Sequence, residues 1–335
     1  MTFDVLDETT LARLGNIDVW VSVYWDESYN SEGSFTLEVR PTEENLSLLR
    51  EGRWLVRTDA AVKIPMRICH RSNENEDANL VVTGYPATWI FTKRVSASAI
   101  KNENAEAAML ALAKAAAPWP KLEVAEPKGF DTTFEQQTSG NTLFDYFKTV
   151  GAACDLGFRV VLTGKNSAKR LMFEVWRPTA DPNNRFSTKW GSLREAAWAF
   201  GDGSYANVAL VLGAGEGKDR AMVWAGDTEA TGAERREMIV DARDIQPEDG
   251  ETVKSDSYLK KLADRGASKL LEQLRTGSIE MTLDADGLEP GDVCYCFLPD
   301  LGYKATVRVA DIIIQSQTDG TTRTARLGTP VWYKI

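Results

Sequence analysis

At 335 residues the chain has room for two or three domains, since single cores rarely grow past roughly 250 to 300 residues. Its formal charge of −10 argues against a protein that wraps a nucleic-acid backbone, a mode that needs a basic stripe to displace counterions. Apolar residues make up 43%, ample for cores. No run of about 18 apolar residues occurs, and Met1 to Asp7 has neither the basic start nor the apolar stretch of a secretion signal, which implies cytoplasmic synthesis without membrane insertion.

From Ile17 to about Val95 the pattern is strand upon strand. Val19, Val21 and Val23 alternate, then come Phe35 to Val39, Trp54 to Arg57, Val62 to Ile68, Leu80 to Thr83 and a long strand from Trp89 to Val95. An Ala-rich helix is predicted over Asn104 to Ala117, stopped by Pro118 and Pro120, and a second over Thr142 to Cys154 with Leu143, Phe144, Phe147 and Val150 on one face. Phe158 to Leu162 and Leu171 to Trp176 then read as a hairpin. Strands resume at Ala206 to Leu212, Arg220 to Ala225 and Glu237 to Val240. A long helix from Ser255 to Arg275 follows, with Leu259, Leu262, Leu270, Leu271 and Leu274 as its apolar stripe. The expected fold class is mainly β with α/β insertions: a first β-barrel domain at 1–100, an α/β insert at 101–200, and a second β-barrel domain at 201–335 with a helical insertion at about 251–277.

Two stretches repeat one script, Gly33 to Pro86 and Gly277 to Pro330. Each opens on Gly-Ser and an alternating strand, Phe35, Leu37 and Val39 or Ile279, Met281 and Leu283. Each passes an acidic connection to a Gly, Gly52 or Gly291, and a strand beginning Arg53-Trp54 or Asp292-Val293. Each then reaches an Arg-centred strand, Met66-Arg67-Ile68 or Val307-Arg308-Val309, and closes on Gly-x-Pro at Gly84 or Gly328. The script predicts two tube-like barrel modules related by internal duplication, a plan suited to a ring or tube; any antiparallel meander with Gly turns is the plainer account.

Chemistry is sparse. Val211 to Arg220 places a Gly-rich turn after a strand, but Leu212 and Asp219 stand where a phosphate loop needs Gly and Ser or Thr. Lys218 stands where a dinucleotide turn needs its third Gly, and a strand follows where a helix is required. The segment reads as a hairpin presenting Glu216, Lys218, Asp219 and Arg220 at its tip. The single histidine, His70, excludes catalytic triads and multi-His metal sites. Cys294 and Cys296 share one strand face and read as buried apolar residues. No catalytic residue, cofactor or metal is expected, although a carboxylate pair of a glycan hydrolase can lie anywhere in a chain with 49 acids.

The run Ala206 to Arg220 resembles the Asn-x-x-x-Val-x-Gly-x-Gly-Glu-Gly-x-x-Arg stretch of siphophage tail-hub proteins, the ReqiPepy6-like family among the baseplate-hub and tail-associated proteins. Val240 to Asp244, the helix carrying Tyr258, Leu259, Leu262, Arg265 and Gly266, and the ending from Gly291 to Gly328 are similar to that family too. The resemblance implies a structural virion protein at the tail tip, a homotrimer of chains with two tube-like barrels each, matching a six-fold tube to a three-fold tip while DNA passes. It implies a distal tail protein, a tape-measure protein and downstream tip or fibre proteins as neighbours. In such a ring Glu216, Lys218, Asp219 and Arg220 are candidate assembly contacts, and the acids of the two connections, Glu43, Glu44 and Glu51 with Asp284, Asp286 and Glu289, are candidate lumen residues that repel phosphate. The alternative is a tail-associated carbohydrate-binding protein or glycan hydrolase.

Overall fold

Alternation at period two writes the first strands, and the computed structural model shows where they pair. It describes the chain apart from residues 74–77, 96–98, 117, 138–140, 179, 202–204, 249, 273–275, 285–286, 329–330 and 335. The chain packs as two units, 1–196 with 281–335, and 197–280.

The larger unit begins with β1 (Phe3–Leu6) and β2 (Arg13–Ile17), joined by a turn in which the Asp7 carboxylate accepts from the amides and hydroxyls of Thr9 and Thr10. Those bonds hold the Asp7 carboxyl down at about 2. In β3 (Ser22–Ser28) and β4 (Ser34–Val39) the inward residues Val23, Trp25, Phe35, Leu37 and Val39 are buried. The first acidic connection is a short helix, α1 (Glu43–Leu48): Thr42 caps it, its hydroxyl accepting from the Asn45 amide, and Glu43 and Glu44 occupy the first turn, where the helix dipole favours acids. The strands β5 (Trp54–Arg57), β6 (Met66–Ser72) and β7 (Leu80–Pro86) follow. The long strand expected from Trp89 to Val95 is instead a single turn, α2 (Trp89–Thr92). Ile90 and Phe91 are both buried, and adjacent buried residues fit a helical turn better than a strand with one wet face.

The middle of the chain adds β8 (Ala99–Asn104), α3 (Ala105–Ala115), β9 (Leu122–Val124), β10 (Thr133–Gln137), α4 (Leu143–Cys154), β11 (Gly157–Thr163) and β12 (Arg170–Trp176). Asn104 and Thr142 cap the two helices. The hairpin β11–β12 pairs from Gly157↔Trp176 to Thr163↔Arg170, with β9 parallel beside it. Phe91, Phe147, Phe158 and Phe173 interlock with ring centroids 4.9 to 6.4 Å apart. Glu106 is 1% exposed and accepts from the amides of Lys128, Gly129 and Phe130 at 2.6, 2.8 and 2.9 Å, which pins that loop to α3.

Next come β13 (Arg185–Ser187) and β14 (Leu193–Gly201). In the smaller unit β15 (Val208–Leu212) lies between β16 (Met222–Gly226), antiparallel to it, and β17 (Glu237–Asp241), parallel to it. The helix α5 (Asp256–Glu272) buries Tyr258, Leu262 and Leu270 against Ala209, Val211, Ala225 and Val240. A Cβ at Gly266 would stand 2.6 Å from Val211 Cγ2 and 2.8 Å from Ala225 Cβ, so only glycine lets helix and sheet approach this closely. The stripe residues Leu271 and Leu274 lie outside the described side chains.

The chain returns through β18 (Thr276–Asp284), β19 (Val293–Leu298), β20 (Tyr303–Gln317), β21 (Gly320–Leu327) and β22 (Val331–Lys334). The side chains of Ile279, Met281 and Leu283, and Pro330, are outside the described set. Eleven strands run in one sheet in the order β14-β18-β21-β20-β3-β4-β7-β6-β5-β1-β2, with β13, β19 and β22 attached off that path, while β8 with β10, and β9 with β11 and β12, form two small separate sheets. The chain is mainly β, as expected, and among the described residues this ladder shows no closed barrel. The strand β20 links its parts. Its first half pairs with β19 and β22, a bulge between Val309 and Asp311 redirects it, and its second half pairs with β21 and β3.

Within that sheet the two scripted stretches have matching neighbours. The first runs β5-β6-β7-β4 and the second β19-β20-β21-β18, all antiparallel. The sheet also has two unlike faces. Ile314, Trp25, Phe35, Gly84 and Ile68 form one transverse row, all buried. One residue along, Thr322, Gln315, Tyr24, Thr36, Thr83 and His70 form a row on the opposite face, each half-buried or exposed.

Candidate assembly surfaces and buried corners

The Gly-rich segment is a hairpin: Leu212 pairs with Met222, and a single 3-10 turn, Gly217–Asp219, crosses its tip. Glu216, Lys218 and Asp219 are exposed. Arg220 is not at the tip with them. Its guanidinium donates to the Gly213 carbonyl at 3.1 Å and lies 3.3 Å from Asp241, which Arg243 also holds at 2.6 Å. The Tyr258 hydroxyl accepts from the Ala214 amide at 2.9 Å and donates to the Ile245 carbonyl at 2.8 Å. A Cβ at Gly213 would stand 2.8 Å from that hydroxyl. Gly213, Tyr258 and Gly266 therefore knit the sheet of the smaller unit to α5, and Arg220 ties the hairpin to Asp241 of β17, which gives Gly213 and Arg220, in the run weighed as a phosphate cradle, a structural use.

Each acid of the first connection has a local partner or position. Glu43 and Glu44 start α1, and Glu51 accepts from Arg71 at 3.1 Å. Of the second set, Glu289 lies 3.9 Å from Arg159, while the Asp284 side chain and Asp286 are outside the described residues.

The two Gly-to-strand corners share one backbone device. Gly52 (φ +90°) donates its amide to the Ile68 carbonyl at 2.8 Å, and Gly291 (φ +96°) donates to the Val309 carbonyl at 2.8 Å. Ile68 donates back to Arg53 and Val309 back to Asp292, both at 2.8 Å. Arg67 reaches the Gly52 carbonyl at 2.9 Å, and Arg308 the Gly291 carbonyl at 2.7 Å. A positive φ is cheap only for glycine, so the corner explains both residues.

Around the corners the packing differs. Arg67 lies 5.9, 5.3 and 5.2 Å from the rings of Trp54, Trp89 and Trp119 and pairs with Glu8 at 2.7 Å. Arg308 stacks on Tyr29 at 5.1 Å and pairs with Asp155. The third element of the script is out of step by one residue: Gly84 lies opposite Ile68, whereas Leu327 lies opposite Val309 and Gly328 opposite Arg308.

Where β20 meets β3, Asp26 and Asp311 are 6% and 4% exposed and share Arg326, which donates to Asp311 and stands 4.0 Å from Asp26. Burial, then the Asp311 charge, pushes the Asp26 carboxyl up to about 6. A cavity of about 340 Å³ in the same unit is lined by Tyr29, Phe158, Trp176, Glu27, Arg57 and Glu289 among others. Arg57 lies 3.4 Å from Glu27 and 3.0 Å from Asp59 in its wall, and Arg159 stacks on the Trp176 ring at 4.7 Å. Cys294 and Cys296 are buried and unpaired, and burial pushes each thiol up to about 12, far from a nucleophile's range. Among the described residues no group of His, Cys, Asp and Glu is arranged to hold a metal, and no helix is long and apolar enough to cross a membrane.

Known proteins place this architecture. The chain belongs to the family of Siphovirus ReqiPepy6 Gp37-like proteins, whose pattern matches residues 2–329. Its fold is that of a tail protein from Neisseria meningitidis MC58 (15% identity, 97% of this chain and 96% of that one, TM-score 0.59). It is equally that of the 43 kDa tail protein of prophage MuSo2 from Shewanella oneidensis (12%, 99% and 98%, TM-score 0.63). The prophage tail protein gp18 from Listeria monocytogenes EGD-e has the same fold (12%, 97% and 94%, TM-score 0.59). No curated protein sequence matches the chain. The chain is thus a phage tail protein, which locates it in the virion tail.

Proposed function

We propose that three copies of this chain form a hub ring at the tail tip, closing or extending the tail tube and adapting its six-fold symmetry to a three-fold tip without catalysis. The observation that carries this reading is the recurrence of one antiparallel order, β5-β6-β7-β4 and β19-β20-β21-β18, with the same Gly amide and Arg guanidinium bonds at each corner. A duplicated module in each of three chains supplies six quasi-equivalent positions around an axis. The formal charge of −10 per chain disfavours retention of DNA in the conduit, and the acids of the two connections contribute to it. The neighbours in this reading are a distal tail protein, a tape-measure protein and downstream tip or fibre proteins.

The exposed hairpin residues Glu216, Lys218 and Asp219 are assigned to contact with a neighbouring subunit or tail protein. Because Arg220 holds the hairpin itself, Lys218→Glu alone is the informative variant, expected to impair assembly while the chain stays folded. The hub reading is tested by mass photometry of the purified chain, expected at three times 37.1 kDa, and by antibody labelling of virions, expected at the distal tail end. A monomer at micromolar concentration together with label along the tail shaft would refute it.

A further inference from the structure

The small sheet β11-β12-β9 ends on β9, so one side of that strand has no neighbour. Leu171 donates to the Lys121 carbonyl and Ala125 to the Phe173 carbonyl, both at 2.9 Å, which turns the backbone of 121, 123 and 125 toward β12 and that of Leu122 and Val124 away from it. Leu122 gives its amide to the Trp119 carbonyl at 3.1 Å. The Leu122 carbonyl and both backbone groups of Val124 are left facing outward, and among the described residues nothing meets them. A groove of about 700 Å³ follows this edge, lined by Leu110, Ala111 and Lys114 of α3 and by Trp119, Leu122 and Val124. No residue of β12 lines it, so it lies on the open side of β9.

The two ends of the groove differ in charge. Glu106, in the first turn of α3, holds the amides of Lys128, Gly129 and Phe130 beyond the end of β9, so helix and strand run antiparallel. Lys114, in the last turn, therefore stands beside the start of β9, and Glu126 stands past its end. Both are exposed, and among the described residues neither has an ion partner. We infer that the groove takes an extended segment of another tail protein, laid antiparallel to β9 as an added strand. The outward amide and carbonyls call for a strand, which alone satisfies them in series. Apolar side chains at alternate residues of that segment fill the space between α3 and Leu122 and Val124, a Lys or Arg ahead of them meets Glu126, and an Asp or Glu behind them meets Lys114. Pro118, Pro120 and Pro127 bracket the edge, so pairing stops after about five residues, which suits a short segment better than a long strand of a second copy. The inference goes beyond the hub reading and does not depend on it.

The probe is a fluorescein-labelled peptide, Gly-Lys-Thr-Val-Thr-Val-Thr-Asp-Gly, titrated into the purified chain and followed by anisotropy. Saturable binding is expected with a Kd of about 100 μM or tighter. Val124→Pro removes the open amide and is expected to weaken it about tenfold or more, as is Ala111→Trp, which fills the groove from an exposed position of α3. Exchanging the end charges, Lys114→Glu with Glu126→Lys, is expected to shift preference about threefold toward the peptide with Lys and Asp exchanged. No saturable binding below about 1 mM would overturn the inference, and so would binding that Val124→Pro and Ala111→Trp leave unchanged. A preference unmoved by the exchange overturns the antiparallel direction. A change in the oligomeric mass of the chain on Val124→Pro means that a second copy fills the edge, which overturns the assignment to another protein. Should Val124→Pro not fold, Ala111→Trp decides alone.

Discussion

The corner at Gly52 and Arg67 and the corner at Gly291 and Arg308 use the same backbone bonds inside different surroundings. The first sits under Trp54, Trp89 and Trp119 with Glu8 as ion partner; the second rests against Tyr29 with Asp155. The comparison separates what the turn demands, a left-handed glycine and an arginine reaching back to its carbonyl, from what each neighbourhood happens to supply. Conformational demands of that kind are met by one residue type, whereas packing demands have many solutions.

The largest expected effect breaks the symmetry where it is already imperfect. A Cβ at Gly84 would stand 1.8 Å from the Arg67 carbonyl oxygen, so Gly84→Ala is expected to cost more than about 4 kcal/mol by urea denaturation, while Leu327→Gly at the matching place costs about 2. Equal effects at the two sites would show that the register offset has no consequence. Next, Gly291→Ala drives a methyl to 2.7 Å from the Tyr29 ring and 2.9 Å from Trp176, but Gly52→Ala meets only the movable end of Glu8 at 2.5 Å. The first is expected to cost about 3 to 4 kcal/mol and the second about 1 to 2, the shared penalty of a positive φ. A reversed order would place the tighter packing at the other corner.

Truncating the arginines sharpens the same contrast. Arg67, 15% exposed among three indoles, should cost about 2 to 3 kcal/mol as Ala, and Arg308, 28% exposed, about 1 to 2. Finally, the seam joining the two sets carries Asp26, whose carboxyl rises to about 6 from an ordinary 3.8. Folding then favours its protonated form, so its contribution is most favourable below about pH 4 and declines as pH rises through 6. Asp26→Asn is expected to raise stability by about 1 to 3 kcal/mol at pH 7.5 and by almost nothing at pH 4. A loss of stability at pH 7.5 would mean that attraction to Arg326 outweighs burial.

Sequence reading finds the corners because glycine and a strand-centred arginine are local signals. It places α3, α4, α5 and the β11–β12 hairpin within a few residues, since caps and periodicity are also local. It passes over α1, although Thr42 followed by Glu43 and Glu44 is an N-terminal signature; six residues are too few to show a period. It turns α2 into a strand because Trp, Ile, Phe and Thr are all strand formers, and the packing of Ile90 and Phe91 overrides that preference. The joining of the two sets of strands rests on β20 meeting β3, a pairing between distant residues that no window of sequence contains. The same holds for the polar row, whose members share nothing until six strands are laid side by side.

That pairing also sets an order of events at birth. Trp20 and Ser316, joined across the seam, are 296 positions apart, so a ribosome completes most of the chain before β3 can meet β20. Until then β3 has β4 on one side and an open edge on the other, the kind of edge that recruits strands from neighbouring chains. The nascent protein must therefore wait with a sticky flank exposed until β20 is made and seals it.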